Sequence, residues 1–140
     1  MASKGQMSGM RGVYLVAAML SKHDLIASPT SRSAYGADIL VTDQKCTTAW
    51  SVQVKTNKSS ANFWLISKKT KESVSKSHIY VLVNIRETKK DGETIEYFIV
   101  PSKIISERMV DFDPDWPSIY KEKIEKYRDR WEIFKTPKNS

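Results

Sequence analysis

The sequence predicts an α/β fold in which one mixed sheet is flanked by helices. Two observations carry this prediction: a helical pattern of apolar residues near the amino terminus, and five later runs rich in β-branched and aromatic residues. A chain of 140 residues can bury one core and is too short for two ordinary domains. We expect one domain at residues 10–135, with loose termini at 1–9 and 136–140.

The first half of the chain is expected to contain one helix and three strands. Apolar residues at helical spacing predict a helix from Met10 to Lys22 that packs on a sheet face. The run DLIASPT, stopped by Pro29, predicts a short strand. ADILVTD and TTAWSVQVKT predict two more strands, which are close enough in sequence to form a hairpin.

The second half begins with the basic stretch SKKTKESVSKSH, which predicts a helix or a helix with a loop. Residues 79–85, IYVLVNI, form the continuous apolar run typical of a central strand covered on both faces. After the turn signal Asp91-Gly92, TIEYFIVP predicts the hairpin partner of that strand. In NFWLIS, the rings of Phe63 and Trp64 could stack on exposed bases, but we expect at least one to be buried in the core.

Two helices complete the predicted pattern. Ser102 is suited to cap KIISERMV, and a last helix should begin near Ser118 in SIYKEKIEKYRDRWEIF. Several apolar side chains of this last helix can share one side, which favours core or lid packing over a ligand site. They are Ile119, Ile124, Tyr127, Trp131 and Phe134.

Positive charge is concentrated in one part of the chain. Lysine and arginine outnumber the acids by 23 to 16, and residues 55–78 hold six lysines against the single acid Glu72. A positive field of this kind attracts phosphate backbones, although a lysine-rich face can also serve solubility alone. The candidate nucleic-acid contacts are Lys58, Lys68, Lys69, Lys71 and Lys76.

The cysteine content and the apolar runs favour a cytoplasmic protein. Cys46 is the only cysteine, so the chain can form neither an internal disulfide nor a cysteine-based zinc cluster, and a reducing compartment is expected. The run VYLVAAML at 13–20 is followed by charged residues without a clear cleavage site. It is also far shorter than the ~20 residues that span a bilayer, so we expect no membrane association.

Three polar residues interrupt the two strands of the first predicted hairpin. A loop centred on QKCT pairs Asp43 with Thr48, and the same register places Asp38 opposite Gln53. Lys55 follows two residues later, so alternation predicts that all three polar side chains share a face, while Val52 and Val54 point to the core. A partly wet sheet face, or a structural ion pair, would place the same residues there.

These segments also resemble a known motif. GADILV, followed after a short loop by SVQVKT, resembles the core of the PD-(D/E)xK nuclease superfamily, which includes restriction endonucleases and archaeal-type Holliday junction resolvases. Gln53-Val54-Lys55 would be the end of the motif, with glutamine in place of its last acid, as in Mrr-like branches. The resemblance covers about residues 10–102 and implies the restriction endonuclease-like αβββαβ core.

The resemblance implies a role for each of these residues. Asp38 would bind Mg²⁺, or Mn²⁺ in its place, with the side-chain oxygen of Gln53 and the backbone carbonyl of Val54. Lys55 would hold the attacking water or neutralise the charge that develops on the phosphate. DNA is the implied partner, and related nucleases often form homodimers. Many relatives carry a glutamate on the first helix, where this chain has Val13, which cannot bind a metal.

Three functions therefore remain open at this point. The first is a metal-dependent DNA endonuclease with Asp38, Gln53 and Lys55 at its centre. The second is an inactive nucleic-acid-binding or protein-interaction module on the same fold, favoured by Val13 and Gln53. A partner-binding domain that uses the aromatic carboxyl-terminal helix is a third possibility.

Other polar residues have weaker patterns. His23 and His78 have polar neighbours and are expected at the surface rather than among metal ligands. The alternating acids Asp111, Asp113 and Asp115 lack the glycine of a calcium loop, so we expect a capping loop there.

Overall fold

The computed structural model describes residues 1–31, 36–58, 61–111 and 115–135. The strands are β1 (Ile26–Pro29), β2 (Ile39–Thr42), β3 (Ala49–Asn57), β4 (Phe63–Leu65), β5 (His78–Thr88), β6 (Gly92–Pro101) and β7 (Ser118–Tyr120). The helices are α1 (Lys4–Lys22) and α2 (Ser102–Arg108), and short 3-10 turns cover Lys68–Glu72, Lys121–Lys123, Glu125–Tyr127 and Trp131–Ile133.

Five strands form one mixed sheet in the order β1-β2-β3-β5-β6, and β4 pairs with β7 in a second sheet of two strands. The β1-β2, β2-β3 and β5-β6 pairs are antiparallel, whereas β3 and β5 run parallel. A parallel pair requires the chain to cross over between its strands. The crossover contains β4 and the 3-10 turn Lys68–Glu72. The predicted α/β fold with a mixed sheet is therefore confirmed.

A hydrophobic core lies on each face of the sheet. On one face α1 packs Val16 and Leu20 against the inward side chains of β3, among them Val52. On the other face, Trp64 of β4 and Ile105 of α2 pack against β5 and β6. Because β5 is covered on both faces, all its residues from His78 to Ile85 are buried, as the uninterrupted apolar run predicts.

Helix α1 begins at Lys4, earlier than the predicted start near Met10. The reason is a capping box that the apolar spacing does not reveal. The Ser3 hydroxyl accepts a hydrogen bond from the Gln6 N–H at 3.2 Å, and Gln6 Oε1 accepts one from the Ser3 N–H at 2.8 Å. These bonds satisfy two donors at the helix start, so the segment expected to be loose at 1–9 is helical from Lys4 onward. Residues 136–140 lie outside the described part of the chain.

The predicted carboxyl-terminal helix from Ser118 is wrong. Ser118–Tyr120 is strand β7, and the segment continues through three 3-10 turns. Ile119 and Ile124 are buried beside β5 and α2, whereas Trp131 and Phe134 are buried in the core under α1. One helix cannot direct its apolar stripe to cores on both faces of a sheet. The chain instead passes the β6 edge of the sheet in short 3-10 turns, with Arg128 bridged to Phe98.

Two smaller predictions also need correction. The Ser102 hydroxyl does not cap α2; it donates to Ser75 O at 2.8 Å and accepts from the Ser75 N–H at 3.0 Å. The basic stretch forms a short 3-10 helix, Lys68–Glu72, which Ser67 caps and a loop follows, so the predicted helix with a loop occurs but its helix is short. The core position of NFWLIS is confirmed, because Trp64 is 1% exposed while Phe63 lies at the surface.

Candidate active site

The hairpin of β2 and β3 has the register that the sequence predicts. Ile39 faces Val52 and Thr42 faces Ala49, and the Asp43 N–H donates to Thr48 O at 3.2 Å across the turn. The Asp43 carboxylate also accepts from the backbone N–H groups of Thr47 and Thr48, at 2.7 and 3.1 Å. This acid therefore closes the turn, as expected from its position.

Asp38 immediately precedes β2 and departs from the regular ladder. Its N–H donates to Val52 O at 2.8 Å, although Val52 is already the register partner of Ile39. Two successive residues thus oppose one, the arrangement of a β-bulge, and the alternation of side chains no longer applies at Asp38. The prediction that Asp38 shares a face with Gln53 assumed a regular ladder up to this residue.

The Asp38 carboxylate lies beside the free edge of β3. Its Oδ2 accepts a hydrogen bond from the Val54 N–H at 2.8 Å. Ser51 N–H bonds to Ser77 O on the β5 side at 2.8 Å, so by alternation the N–H and C=O of Val54 both point to the β2 side. The carboxylate and the Val54 carbonyl are therefore two oxygen donors at one strand edge.

This edge opens into a cleft under the first half of α1, which we call the helix cleft. It has a volume of about 430 Å³ and is lined by Gln6, Gly9, Met10, Val13, Tyr14, Pro29, Thr30, Ser31, Asp38 and Val54. Val13 thus lines the same space as Asp38. An apolar side chain stands at this position of α1, where a carboxylate would provide a second ligand for a cation.

Gln53 and Lys55 project from the other face of β3. Both are half-buried and alternate with the buried residues Val52 and Val54, as expected for a strand. Gln53 lines a second cleft of about 440 Å³, which we call the sheet cleft. Its lining consists of Gly36, Ala37, Ser51, Gln53, Ser67, Lys69, Thr70, Ser73, His78 and Tyr80.

The structure therefore brings Asp38 to Val54 and places Gln53 in a different cleft. The two clefts adjoin at the start of β2, where Ala37 lines the sheet cleft and Asp38 lines the helix cleft. Within the described ranges, no hydrogen bond or ion pair joins the Asp38 carboxylate to the side chain of Gln53 or Lys55. That the three residues act together at one centre stays a prediction.

The potential donors to a cation are oxygen atoms from one acid, one amide and one backbone carbonyl. No group of three His, Cys, Asp or Glu side chains suited to a metal occurs in the part of the chain that the structure describes. Oxygen donors fit Mg²⁺ or Mn²⁺ rather than zinc, and magnesium commonly retains several waters beside one or two carboxylates. The Asp38 carboxylate and the Val54 carbonyl fit a weakly held hard cation in the helix cleft, and the Gln53 amide lies in the adjoining sheet cleft.

Sequence reasoning missed His78, which is 8% exposed rather than at the surface. It faces Ser51 across the parallel β3-β5 pair, and the Ser51 hydroxyl lies 2.7 Å from His78 Nδ1. Burial lowers the pKa of His78, and a hydrogen bond with the backbone of Ser51 offsets only part of that effect. His78 directly precedes the apolar run IYVLVNI, and this proximity to a buried strand was the available signal.

The wall of the sheet cleft is fixed to its floor by another pair. The hydroxyl of Tyr80 donates to Thr70 Oγ1 at 3.2 Å, so the turn Lys68–Glu72 is tied to β5. Burial raises the pKa of the Tyr80 hydroxyl, although the bond to Thr70 counters it. Neither side chain showed a functional pattern in the sequence.

The five candidate lysines do not form one patch. Lys68, Lys69 and Lys71 lie on the turn beside the sheet cleft, and Lys71 forms an ion pair with Asp111 at 2.6 Å. Lys76 precedes β5 near that same end of the sheet. Lys58 follows the far end of β3, seven residues beyond Ser51, or roughly 20 Å along the strand.

The weaker candidates have structural explanations. His23 is exposed, as expected, and stacks on Trp131 with ring centroids 5.4 Å apart. Asp111 is bound to Lys71, which lowers the pKa of its carboxyl. Asp115 is exposed, and Asp113 lies outside the described residues.

The architecture is the restriction endonuclease-like fold: a five-stranded mixed sheet with helices on its faces. The chain is similar to Hjc, a Holliday junction resolvase of the archaeal hyperthermophile Archaeoglobus fulgidus, with a TM-score of 0.58. The match covers 88% of this chain and 95% of that one at 13% sequence identity, so it shows a shared fold. No protein-family model matches the sequence, and no curated protein matches it.

Among the described residues, neither helix is both long and apolar enough to cross a bilayer. The apolar run at 13–20 lies within α1, which packs on the sheet. The prediction that this segment packs on a sheet face is confirmed.

Proposed function

We propose that the protein is a divalent-metal-dependent phosphodiesterase that cleaves DNA. Asp38, Gln53 and Lys55 carry the reaction in this proposal, with Mg²⁺ or Mn²⁺ as the cofactor. Two observations support this function: the sequence motif, and the fold that the protein shares with a Holliday junction resolvase. The Gln53-Val54-Lys55 form of the motif and the identity of the metal belong to the proposal.

One observation carries the proposal. The Asp38 carboxylate is held 2.8 Å from the backbone N–H of Val54, the middle residue of Gln53-Val54-Lys55. The bulge before β2 thus brings Asp38, the acid of the motif, against Gln53-Val54-Lys55, the end of the same motif. A purely structural aspartate would be equally well satisfied at many turns, whereas this one also lines an open cleft.

Each residue has a role that follows from its chemistry. The Asp38 carboxylate and the Val54 carbonyl would hold the cation at the helix cleft, and the Gln53 amide oxygen would join them from the adjoining sheet cleft. A bound divalent ion polarises the scissile phosphate and lowers the pKa of a coordinated water. The Lys55 ammonium would orient that water or offset the negative charge that develops on the phosphate. The hydrogen bond from Val54 fixes the Asp38 carboxylate in place before substrate arrives.

The test is cleavage of linear, branched and modified DNA with Mg²⁺ or Mn²⁺. The wild type is expected to nick or cut at least one substrate, and Asp38→Asn and Lys55→Met should each reduce the rate by a factor of about 100 or more. Asparagine can still accept the bond from Val54, so Asp38→Asn removes the charge while keeping the local structure.

Matched variants control for charge and for folding. Asp91→Asn changes an exposed acid in the β5-β6 turn, and Lys45→Met changes an exposed lysine in the β2-β3 turn. Both should cleave as the wild type does. If the wild type cuts none of these DNAs with either metal, or if the control variants lose as much activity as the site variants, the enzyme proposal is wrong.

A second candidate is a DNA-binding module with the same fold and no catalysis. The specific observation in its favour is Val13, which lines the helix cleft beside Asp38 and leaves that cleft with a single acid among its described lining residues. This module predicts DNA binding that weakens with salt, because lysines release counterions from the phosphates. It also predicts that Asp38→Asn binds DNA as tightly as the wild type and that neither protein cleaves it.

A further inference from the structure

We infer that the sheet cleft binds a phosphate of the nucleic-acid backbone, with the Ser51-His78 pair and Lys69 as its recognition groups. This inference rests on the proposed function for the choice of DNA as the ligand, and it does not require cleavage. It assigns a second phosphate position beside the one at Asp38.

The composition of the cleft points to an anion. Among its described lining residues are five hydroxyl side chains, one amide, one imidazole and one ammonium group, and none is an acid. A recess rich in neutral donors with one lysine suits a phosphate better than a cation or an apolar ligand.

The Ser51-His78 pair supplies a donor whichever tautomer is present. The hydroxyl and the neutral imidazole carry one proton each, and the 2.7 Å contact between Ser51 Oγ and His78 Nδ1 uses only one of them. If the hydroxyl donates to Nδ1, then Nε2 carries the other proton; if Nδ1 donates, the hydroxyl keeps its own. Among the described residues, no hydrogen bond takes this second proton.

The pair is also held rigidly in position. Ser51 and His78 are direct register partners on neighbouring parallel strands, and His78 stacks edge-on against Tyr80 with centroids 5.3 Å apart. The turn that bears Lys69 is tied to the same strand by the Tyr80-Thr70 bond. A recess with fixed walls loses little conformational entropy when a ligand binds.

The location connects this recess to the candidate centre. Gln53 lies on the cleft floor two residues from Ser51, and Ala37 of its rim directly precedes Asp38. A nucleic-acid strand that crosses the start of β2 would thus present one phosphate near Asp38 and a neighbouring one to His78. The sheet cleft would set the position of the strand, and the proposed cation site would act on it.

The decisive measurement is NMR of the two histidine rings during titration with a short single-stranded oligonucleotide, with EDTA present to exclude divalent metal. The chain has only two histidines, so a His23→Gln variant assigns both ring signals. The His78 signals are expected to shift on binding, and those of the exposed His23 should stay in place. A titration in which both rings or neither ring respond overturns the inference.

Two lysines give a matched pair of variants. Lys69 lines the sheet cleft, whereas Lys45 is exposed in the β2-β3 turn and is not among the lining residues. Lys69→Met should weaken oligonucleotide binding about 5- to 20-fold and Lys45→Met no more than about 2-fold. Ser51→Ala should weaken binding by a similar factor to Lys69→Met while leaving the protein folded by circular dichroism. Equal effects of the two lysine variants contradict the assignment.

A second titration, with inorganic phosphate, distinguishes binding of nucleic acid from binding of free phosphate. Inorganic phosphate that shifts His78 while the oligonucleotide does not would overturn the assignment to a backbone phosphate. A shift of His78 by the oligonucleotide without metal-dependent cleavage would support this inference and contradict the proposed enzyme. Metal-dependent cleavage without a shift of the His78 signals would contradict this inference and support the proposed enzyme.

Discussion

Gly12 of α1 lies directly over Thr56 of β3: a Cβ atom added at Gly12 would lie 1.8 Å from Thr56 Oγ1. Helix and sheet can approach this closely only because position 12 has no side chain. Gly12 directly precedes Val13, which lines the helix cleft, so this contact fixes the position of α1 beside that cleft.

Gly12→Ala should destabilise the protein by about 1–3 kcal/mol, since the added methyl group forces α1 away from the sheet. Chemical denaturation measures the change. Gly9→Ala is the matched control on the same helix, because a Cβ there meets nothing within 4 Å. That variant should be unchanged or more stable, by up to about 1 kcal/mol, through the better helix propensity of alanine. Equal losses in the two variants would mean that the packing at Thr56 is looser than described.

Val13→Glu should strengthen metal binding at the helix cleft. Val13 and Asp38 line the same space, so the substitution adds a second carboxylate to the proposed cation donors. We expect Mn²⁺ affinity to rise on the order of tenfold, equivalent to about 1.4 kcal/mol. Isothermal titration measures this affinity directly. Glutamine has nearly the shape of glutamate without its charge, so Val13→Gln is the control. If Val13→Gln binds Mn²⁺ as tightly as Val13→Glu does, Asp38 does not face a cation site.

Glu96→Gln should lower the stability of the fold. Three cations surround the Glu96 carboxylate, whose side chain is only 10% exposed: Lys121 and Arg128 each lie 3.1 Å from Oε2, and Arg86 lies 3.0 Å from Oε1. Removing the acid leaves these cations without their shared partner, at a cost on the order of 3 kcal/mol in unfolding free energy. Glu125→Gln, which affects an exposed acid 3.9 Å from Lys121, should change stability little.

The same carboxylate makes stability depend on pH. Burial alone would raise the pKa of Glu96, but hydrogen bonds from Lys121 and Asn84 and the nearby charges outweigh burial and lower it. A group whose pKa is lowered by folding stabilises the protein above its ordinary value of 4.5, and the contribution is lost as pH falls through the lower folded pKa. The difference in unfolding free energy between the wild type and Glu96→Gln should therefore shrink below about pH 4.5. A difference that is constant from pH 7 to pH 3 would contradict this assignment.

Trp64→Phe should destabilise the core between the sheet and α2 by about 2 kcal/mol. Trp64 Nε1 donates to Val83 O at 3.0 Å, and phenylalanine both loses this bond and leaves part of the ring volume empty. Thermal unfolding checks the effect. Trp116, which is 60% exposed, provides the control, because Trp116→Phe should leave the melting temperature unchanged. A stable Trp64→Phe variant would argue against the burial of this ring.

The strand pattern was predictable because it depends on local signals. Turn residues and alternating apolar positions fixed the register of the β2-β3 hairpin, and the uninterrupted apolar run identified β5 as covered on both faces. Neither inference needed knowledge of distant contacts. The resemblance of the motif to nucleases placed these same strands in the correct fold.

The predictions that failed concern features that depend on contacts formed only in the folded chain. A helix was expected after Ser118 because periodicity cannot show that its apolar residues serve cores on opposite faces. The position of Asp38 depends on one extra hydrogen bond to Val52, which forms a bulge that strand alternation ignores. His78 is buried because Ser51, 27 residues earlier, is its neighbour across a parallel pair.

The capping box at Ser3 has a practical consequence for anyone who purifies this protein. Gln6 both completes that box and lines the helix cleft, so a polyhistidine tag fused ahead of Met1 would begin close to the proposed cation site. Its imidazoles would compete for added manganese and could disturb the first helical turn. A tag at the opposite terminus, or one removed by protease before metal titrations, avoids mistaking the affinity of the tag for that of the protein.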